Sequence, residues 1–234
     1  VSARERERLG GRTVVSMRIV IAGGHGQIAL RLERLLAARG HEVAGVIRKP
    51  EQADDLRAAG AEPVVLDLES TSVDGVAAVL AGADALVFAA GAGGSSGAER
   101  KDTVDRGAAV LFADAAERAG VRRYVVVSSM GADPNREGDE VFDVYLRAKG
   151  AADVDIRSRA LDWTILRPGS LTNDAGTGLV NLAESTGHGP VPRDDVAAVL
   201  AELLETPSTA GLTLELISGT VPVADAVRNA ATDR

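Results

Sequence analysis

The chain has 234 residues, of which 45% are hydrophobic, 26% charged and only 3% aromatic, with a net charge of −8 and no cysteine. Length and apolar fraction suit one folded domain and exclude long disorder, and the lack of cysteine excludes disulfide frameworks, thiolate nucleophiles and cysteine-bound zinc. Three scattered histidines (His25, His41, His188) argue against a metal site, and the net acidity argues against a nucleic-acid partner.

Residues 1–16, VSARERERLGGRTVVS, contain no apolar segment of the kind a secretory signal needs. They are expected to form a disordered, solvated extension, with the natural chain starting at Met17, its first methionine. From there apolar runs alternate with amphipathic ones. Strands are expected at 17–22, 42–47, 63–66, 85–88, 123–127, 163–166 and 213–217. Helices are expected from Ile28 through Leu36, then at 51–59, 72–80, 99–119, 139–159, 194–205 and 223–230. Gly120 closes the fourth of these as a C-terminal stop signal. Strands alternating with helices predict right-handed crossovers and a parallel sheet, and continuous Val/Ile/Ala strands predict a sheet covered on both faces. The expected fold is therefore α/β, a Rossmann-like doubly wound sheet. Residues 17–234 form one domain whose substrate region lies mainly in 170–234. No apolar run approaches the roughly 18 residues of a membrane span. With no targeting or lipidation signal either, no membrane partner and a cytoplasmic location are expected.

Gly23, Gly26 and Ala29 stand at i, i+3 and i+6 between the first strand and the first helix. The first glycine permits a tight turn, the second lets backbone approach a pyrophosphate, and the alanine lets helix and strand pack closely. The helix start adds free N–H groups and a partial positive charge. Gly23, His25, Gly26, Gln27 and Ile28 are thus candidates to bind a dinucleotide. The second strand ends Val46-Ile47-Arg48-Lys49 without the acid that would hold a free ribose. Two cations there suit a 2′-phosphate, so NADP(H) is expected over NAD(H). Asp67, followed by Leu68, ends the third strand. It is open to two readings, acceptor for an adenine amino group or helix cap. Ala89, Ala90 and Gly91 after the fourth strand would let backbone approach the second ribose, and 91–97 is glycine-rich enough to act as a lid.

Tyr145 and Lys149 are four residues apart on an expected helix, hence on one face. The ammonium favours the phenolate, so the tyrosine can exchange a proton with a carbonyl or alcohol while hydride moves at the nicotinamide; the lysine can also hold the nicotinamide ribose. Ser128 and Ser129 follow the fifth strand, where a hydroxyl faces the ligand crevice of such sheets or merely caps the strand.

Together Gly23-xx-Gly26-xx-Ala29, Asp67, Ser128-Ser129, Tyr145-xxx-Lys149 and Leu166-Arg167-Pro168-Gly169 resemble the short-chain dehydrogenase/reductase superfamily, in its atypical NAD(P)-binding branch. The resemblance spans nearly all of 17–230. It implies that Ser129 is the active serine and that Pro168 lies in the turn bracketing the nicotinamide. Asp105 stands where the superfamily commonly has an asparagine supporting the lysine, and Arg193-Asp194-Asp195-Val196-Ala197 resembles a family helix start. The expected function is NADP(H)-dependent hydride transfer on a small carbonyl or alcohol substrate, as oxidoreductase or epimerase. Tyr145, Lys149, Ser129 and Asp105 form the catalytic set. The alternatives are a non-catalytic NADP(H)-sensing regulatory protein and a flavin or quinone reductase. The resemblance permits a monomer or a homo-oligomer.

Overall fold

The computed structural model describes residues 6–9, 12–91 and 101–232. The first strands, β1 (Arg6–Leu9) and β2 (Arg12–Val15), pair antiparallel as a two-stranded sheet separate from the main one.

The main body runs β3 (Arg18–Ala22), α1 (Gln27–Ala38), β4 (Glu42–Ile47), α2 (Ala53–Ala58), β5 (Glu62–Val65), α3 (Val73–Leu80) and β6 (Ala85–Phe88). It continues with a π-helical segment (Lys101–Ala108), α4 (Ala109–Ala119), β7 (Arg123–Val127), α5 (Val141–Arg157), β8 (Asp162–Pro168), β9 (Ser170–Thr172), β10 (Leu179–Ala183) and β11 (Pro190–Pro192). It ends with α6 (Arg193–Leu204), β12 (Leu212–Ser218), β13 (Val221–Pro222) and α7 (Val223–Thr232). The nine-stranded sheet has the order β5-β4-β3-β6-β7-β8-β12-β10-β13, parallel from β5 to β12, with β10 and β13 added antiparallel at one edge. The expected doubly wound Rossmann-like fold is present.

Alternate residues of β3 serve opposite faces. Ile19 and Ile21 join a core with Leu32 and Leu36 of α1 and Val199, Leu200 and Leu203 of α6. Val20 and Ala22 join the other core with Leu80 of α3, Phe112 of α4 and Ile156 of α5. Both faces are buried, which is why these strands lack polar alternation. On the second face the rings of Phe88, Phe112 and Tyr124 pack in tilted succession with centroids 6.0 Å apart. The Tyr124 hydroxyl donates to the Ala109 carbonyl at 3.3 Å, so this tyrosine belongs to the core.

The C-terminal part of the chain is tied into the sheet by Arg123 of β7. Its buried guanidinium donates to the Asp162 carbonyl (2.9 Å), Thr164 Oγ1 (2.8 Å), the Leu203 carbonyl (2.6 Å) and Thr209 Oγ1 (2.9 Å). Burial pulls this guanidinium down to about 10, against the Asp162 charge. The strand order reverses between β3 and β6, and the crevice at their carboxyl ends is where ligands bind in such sheets.

Candidate functional site

The glycine loop follows β3. Gly23 has φ +78°, and a Cβ there would stand 2.6 Å from the Ala90 Cα after β6. The loop closes with the Gly26 N–H donating to the Gly23 carbonyl at 2.8 Å, and the Gly24 N–H ties it to the Val46 carbonyl of β4 at 2.9 Å. Gly26 caps α1 without a side-chain hydrogen bond, which leaves the first-turn N–H groups for a ligand's phosphates.

Two neighbouring cavities meet here. The first, about 310 Å³, is lined by Gly23, His25, Gly26, Arg48, Asp67, Leu68, Ala89, Ala90 and Gly91 among others. The second, about 670 Å³, shares Gly26, Ala89, Ala90 and Gly91 and adds Gln27, Ile28, Asp105, Ser128, Ser129, Tyr145, Lys149 and Pro168. Bare backbone at Gly23 and Gly26, an open helix start and two adjoining cavities fit a dinucleotide. Of the residues proposed from sequence to bind the cofactor or act in catalysis, Lys49 is the one not on these walls. Its backbone N–H donates to Gln52 Oε1 at 3.3 Å as the chain turns into α2. The stretch 92–97, expected to act as a lid, lies outside the described residues.

At the first cavity, His25 Nε2 is 2.7 Å from Asp55 Oδ2 and its Nδ1 is 3.2 Å from Gln52 Nε2. This pairing calls for the Nε2–H tautomer and anchors the loop to α2. Arg48 meets Glu69 at 3.4 Å. Asp67 accepts the Glu69 N–H at 3.0 Å, a local turn, while Ser72 caps α3; the helix-cap reading of Asp67 is thereby replaced.

At the second cavity, α5 places Tyr145, Lys149 and Asp153 on one face at successive turns. Lys149 is buried and its Nζ donates to the Val127 carbonyl at 3.1 Å. It lies 3.3 Å from Asp105 Oδ1, with the Phe88 and Tyr145 ring centroids at 5.9 and 6.0 Å. Burial works against the ammonium, but Tyr145, Asp105 and Asp153 together hold its pKa above the ordinary lysine value. Asp105 comes from the π-helical segment, a rare turn type frequent at functional sites.

Asp153 Oδ2 accepts from Ser128 Oγ (2.9 Å) and from Arg167 Nε and Nη2 (2.9 and 2.8 Å). Burial pushes this carboxyl up, against the pull of Arg167 and Ser128. Ser128 is therefore committed to a buried network. Ser129 makes a 3.2 Å contact to the Met130 carbonyl and faces the cavity half-buried.

Sequence reasoning did not single out Glu69 in the first cavity, nor Phe142 and Leu171 in the second, and it read Arg193 only as part of a helix start. Signals for two of these exist. Phe142 stands three residues before Tyr145, on the same helix face. Arg193 is the first residue of α6, where the helix dipole disfavours a cation.

Among the described residues no cluster of three or more His, Asp or Glu could hold a metal, and no helix is long and apolar enough to cross a membrane. A sequence profile for NAD(P)H-binding proteins matches residues 23–207. The Bacillus subtilis protein YhfK, described as an uncharacterized sugar epimerase, is 37% identical over 213 residues, covering 91% of this chain and 99% of that protein. A solved Bacillus halodurans structure described as an NAD-dependent epimerase/dehydratase superposes with a TM-score of 0.85 at 37% identity, covering 92% of this chain and all of that one. The oxidoreductase YlbE of Lactococcus lactis superposes with a TM-score of 0.79 at 27% identity, covering 91% and 96%. The loop geometry and these matches agree: the chain belongs to the NAD(P)H-binding family, in the atypical branch of the short-chain dehydrogenase/reductase superfamily.

Proposed function

We propose that this protein is an NADP(H)-dependent oxidoreductase, or an epimerase working by the same hydride transfer, acting on a small carbonyl or alcohol substrate. One observation carries the reading: Tyr145, Ser129 and the Lys149–Asp105 pair converge on a cavity whose wall includes the glycine loop. Gly23, Gly26 and the first turn of α1 would hold the phosphates, and Ala89, Ala90, Gly91 and Pro168 would flank the ribose and nicotinamide. Bound NADPH would supply the hydride that the substrate carbon takes up, being oxidised to NADP⁺. In the reductive direction Tyr145 would give its proton to the substrate oxygen, completing an alcohol, and would regain a proton from solvent. Lys149, fixed by Asp105 and the Val127 carbonyl, faces the phenol ring and stabilises charge developing on its oxygen. Ser129 donates a hydrogen bond that orients the substrate oxygen.

The cofactor preference rests on Arg48 at the first cavity and on the lack of an acid at the end of β4. The 3.4 Å contact to Glu69 is long for a charged pair, so a phosphate competes well for the guanidinium. Calorimetric titration with NADPH and NADH, together with turnover on a panel of carbonyl compounds, tests the assignment. Arg48→Ala should weaken NADPH binding about tenfold or more and leave NADH nearly unchanged. Equal losses would remove the preference. Tyr145→Phe should bind NADPH like the parent while turnover falls roughly 100-fold or more. Full turnover in that variant would end the acid–base assignment.

A further inference from the structure

Resting on that reading, the geometry points to a specific substrate class: a ring-bearing apolar carbonyl compound with a single carboxylate, anchored by Arg193. Three features of the second cavity lead there.

The first is its charge. The charged side chains lining the cavity are Asp105, Lys149 and Arg193. Lys149 and Asp105 are paired with each other at 3.3 Å and are almost fully buried. Arg193 Nη1 donates to the neutral Asn173 Oδ1 at 2.9 Å, and among the described residues Arg193 makes no ion pair. In a protein of net charge −8, this cavity therefore presents one uncompensated positive charge. One guanidinium with its planar fork suits one carboxylate.

The second is the apolar rim. Val141, Phe142 and Leu171 are 44%, 61% and 38% exposed, and all three border the cavity. Large apolar side chains left in water around a concave site mark the surface a ligand covers. A sugar would set its hydroxyls against these carbons without partners, at a desolvation penalty for each. The third is ring geometry. Phe142 and Tyr145 stack with centroids 6.0 Å apart and planes at 27°, giving a flat platform beside the phenol that exchanges the proton.

The assembly is legible only in the fold. Phe142 comes from α5, Leu171 from β9 and Arg193 from the start of α6. β9 pairs in parallel with β11, which runs directly into α6, so this small sheet holds the Arg193 anchor beside the apolar rim.

The test is calorimetric binding to the NADP⁺-loaded protein, where an α-keto acid cannot be reduced. The probes are phenylpyruvate, its methyl ester, and a nucleotide sugar such as UDP-glucose. Phenylpyruvate should bind more tightly than its ester. Arg193→Gln should weaken the acid roughly 10- to 100-fold and leave the ester unchanged. Arg193→Lys should recover part of the loss, and Phe142→Ser should weaken acid and ester alike. Unchanged NADP⁺ affinity in each variant shows that the fold is kept. Equal binding of acid and ester, an Arg193→Gln variant that holds the acid as well as the parent, or preferential binding of the nucleotide sugar would each overturn the inference. Arg193-dependent binding without NADPH oxidation would support this site while removing the oxidoreductase reading. NADPH-driven turnover of a sugar with no binding of the acid would do the reverse.

Discussion

Glu33 shows how much one side chain can weigh. It sits on α1, fully buried, and neither carboxyl oxygen has a hydrogen-bond partner among the described residues. It occupies the space that Cβ atoms on Gly24 and Gly45 would claim, at 3.0 and 2.6 Å from its Oε1. Burial raises its pKa from 4.5 to about 8, with the Arg34 charge opposing weakly. The native state therefore holds this proton where the unfolded chain has released it. The Glu33 contribution is fully present below about pH 4.5 and is lost as pH rises towards 8, by about 1.4 kcal/mol per unit across that window. Glu33→Gln keeps a neutral side chain of the same shape, so it should flatten this slope and raise the melting temperature at pH 9 by several degrees. Parallel melting curves for parent and variant from pH 5 to 9 would show that the carboxyl is not buried in this way. A buried glutamate at this spacing on a helix looks like an ordinary polar position in the sequence. Its burial follows from the approach of β4, which glycine at 45 permits.

At the scale of elements, helix α5 carries both chemistry and packing on one stripe, and Gly150 is where they meet. Helix propensity alone says that Gly150→Ala stabilises by about 1 kcal/mol. A Cβ there would stand 2.3 Å from the Asp133 carbonyl carbon and 2.4 Å from the Pro134 nitrogen. Backbone on that side must shift, at a penalty of about 1–3 kcal/mol, so the overlap wins. The variant should melt several degrees lower, and a rise in melting temperature would show that the 133–134 turn yields freely. The seven strands read from the sequence are present within two residues of their expected limits because each is built on a short run rich in apolar residues. The strands β9, β10, β11 and β13 were not legible. They are short, interrupted by proline or flanked by glycine, and depend on partners brought together only by the fold. The long helix expected at 99–119 is π-helical over its described first part, Lys101–Ala108, and that stretch, KDTVDRGA, has too few apolar residues for its pitch to be read from their spacing. The glycine loop, Tyr145 and Lys149 were legible because each is a local spacing. The Arg48–Glu69 contact and the Phe142–Leu171–Arg193 rim were not, because their members lie some 20 to 50 positions apart.

For the molecule as a whole, the order of the strands in the sheet differs from their order in the chain. β8 (Asp162–Pro168) lies between β7 and β12, and β12 (Leu212–Ser218) follows it in the chain only after β9, β10, β11 and α6. The two partners of β8 are thus available at different times as the chain leaves the ribosome. The nucleotide crevice between β3 and β6 uses strands that emerge early, whereas β8 keeps an unpaired edge until residues 212–218 arrive. Such an edge is a template for pairing with another chain. The nascent protein therefore passes through an interval in which its cofactor half can close while β8 still offers an open ladder of N–H and C=O groups.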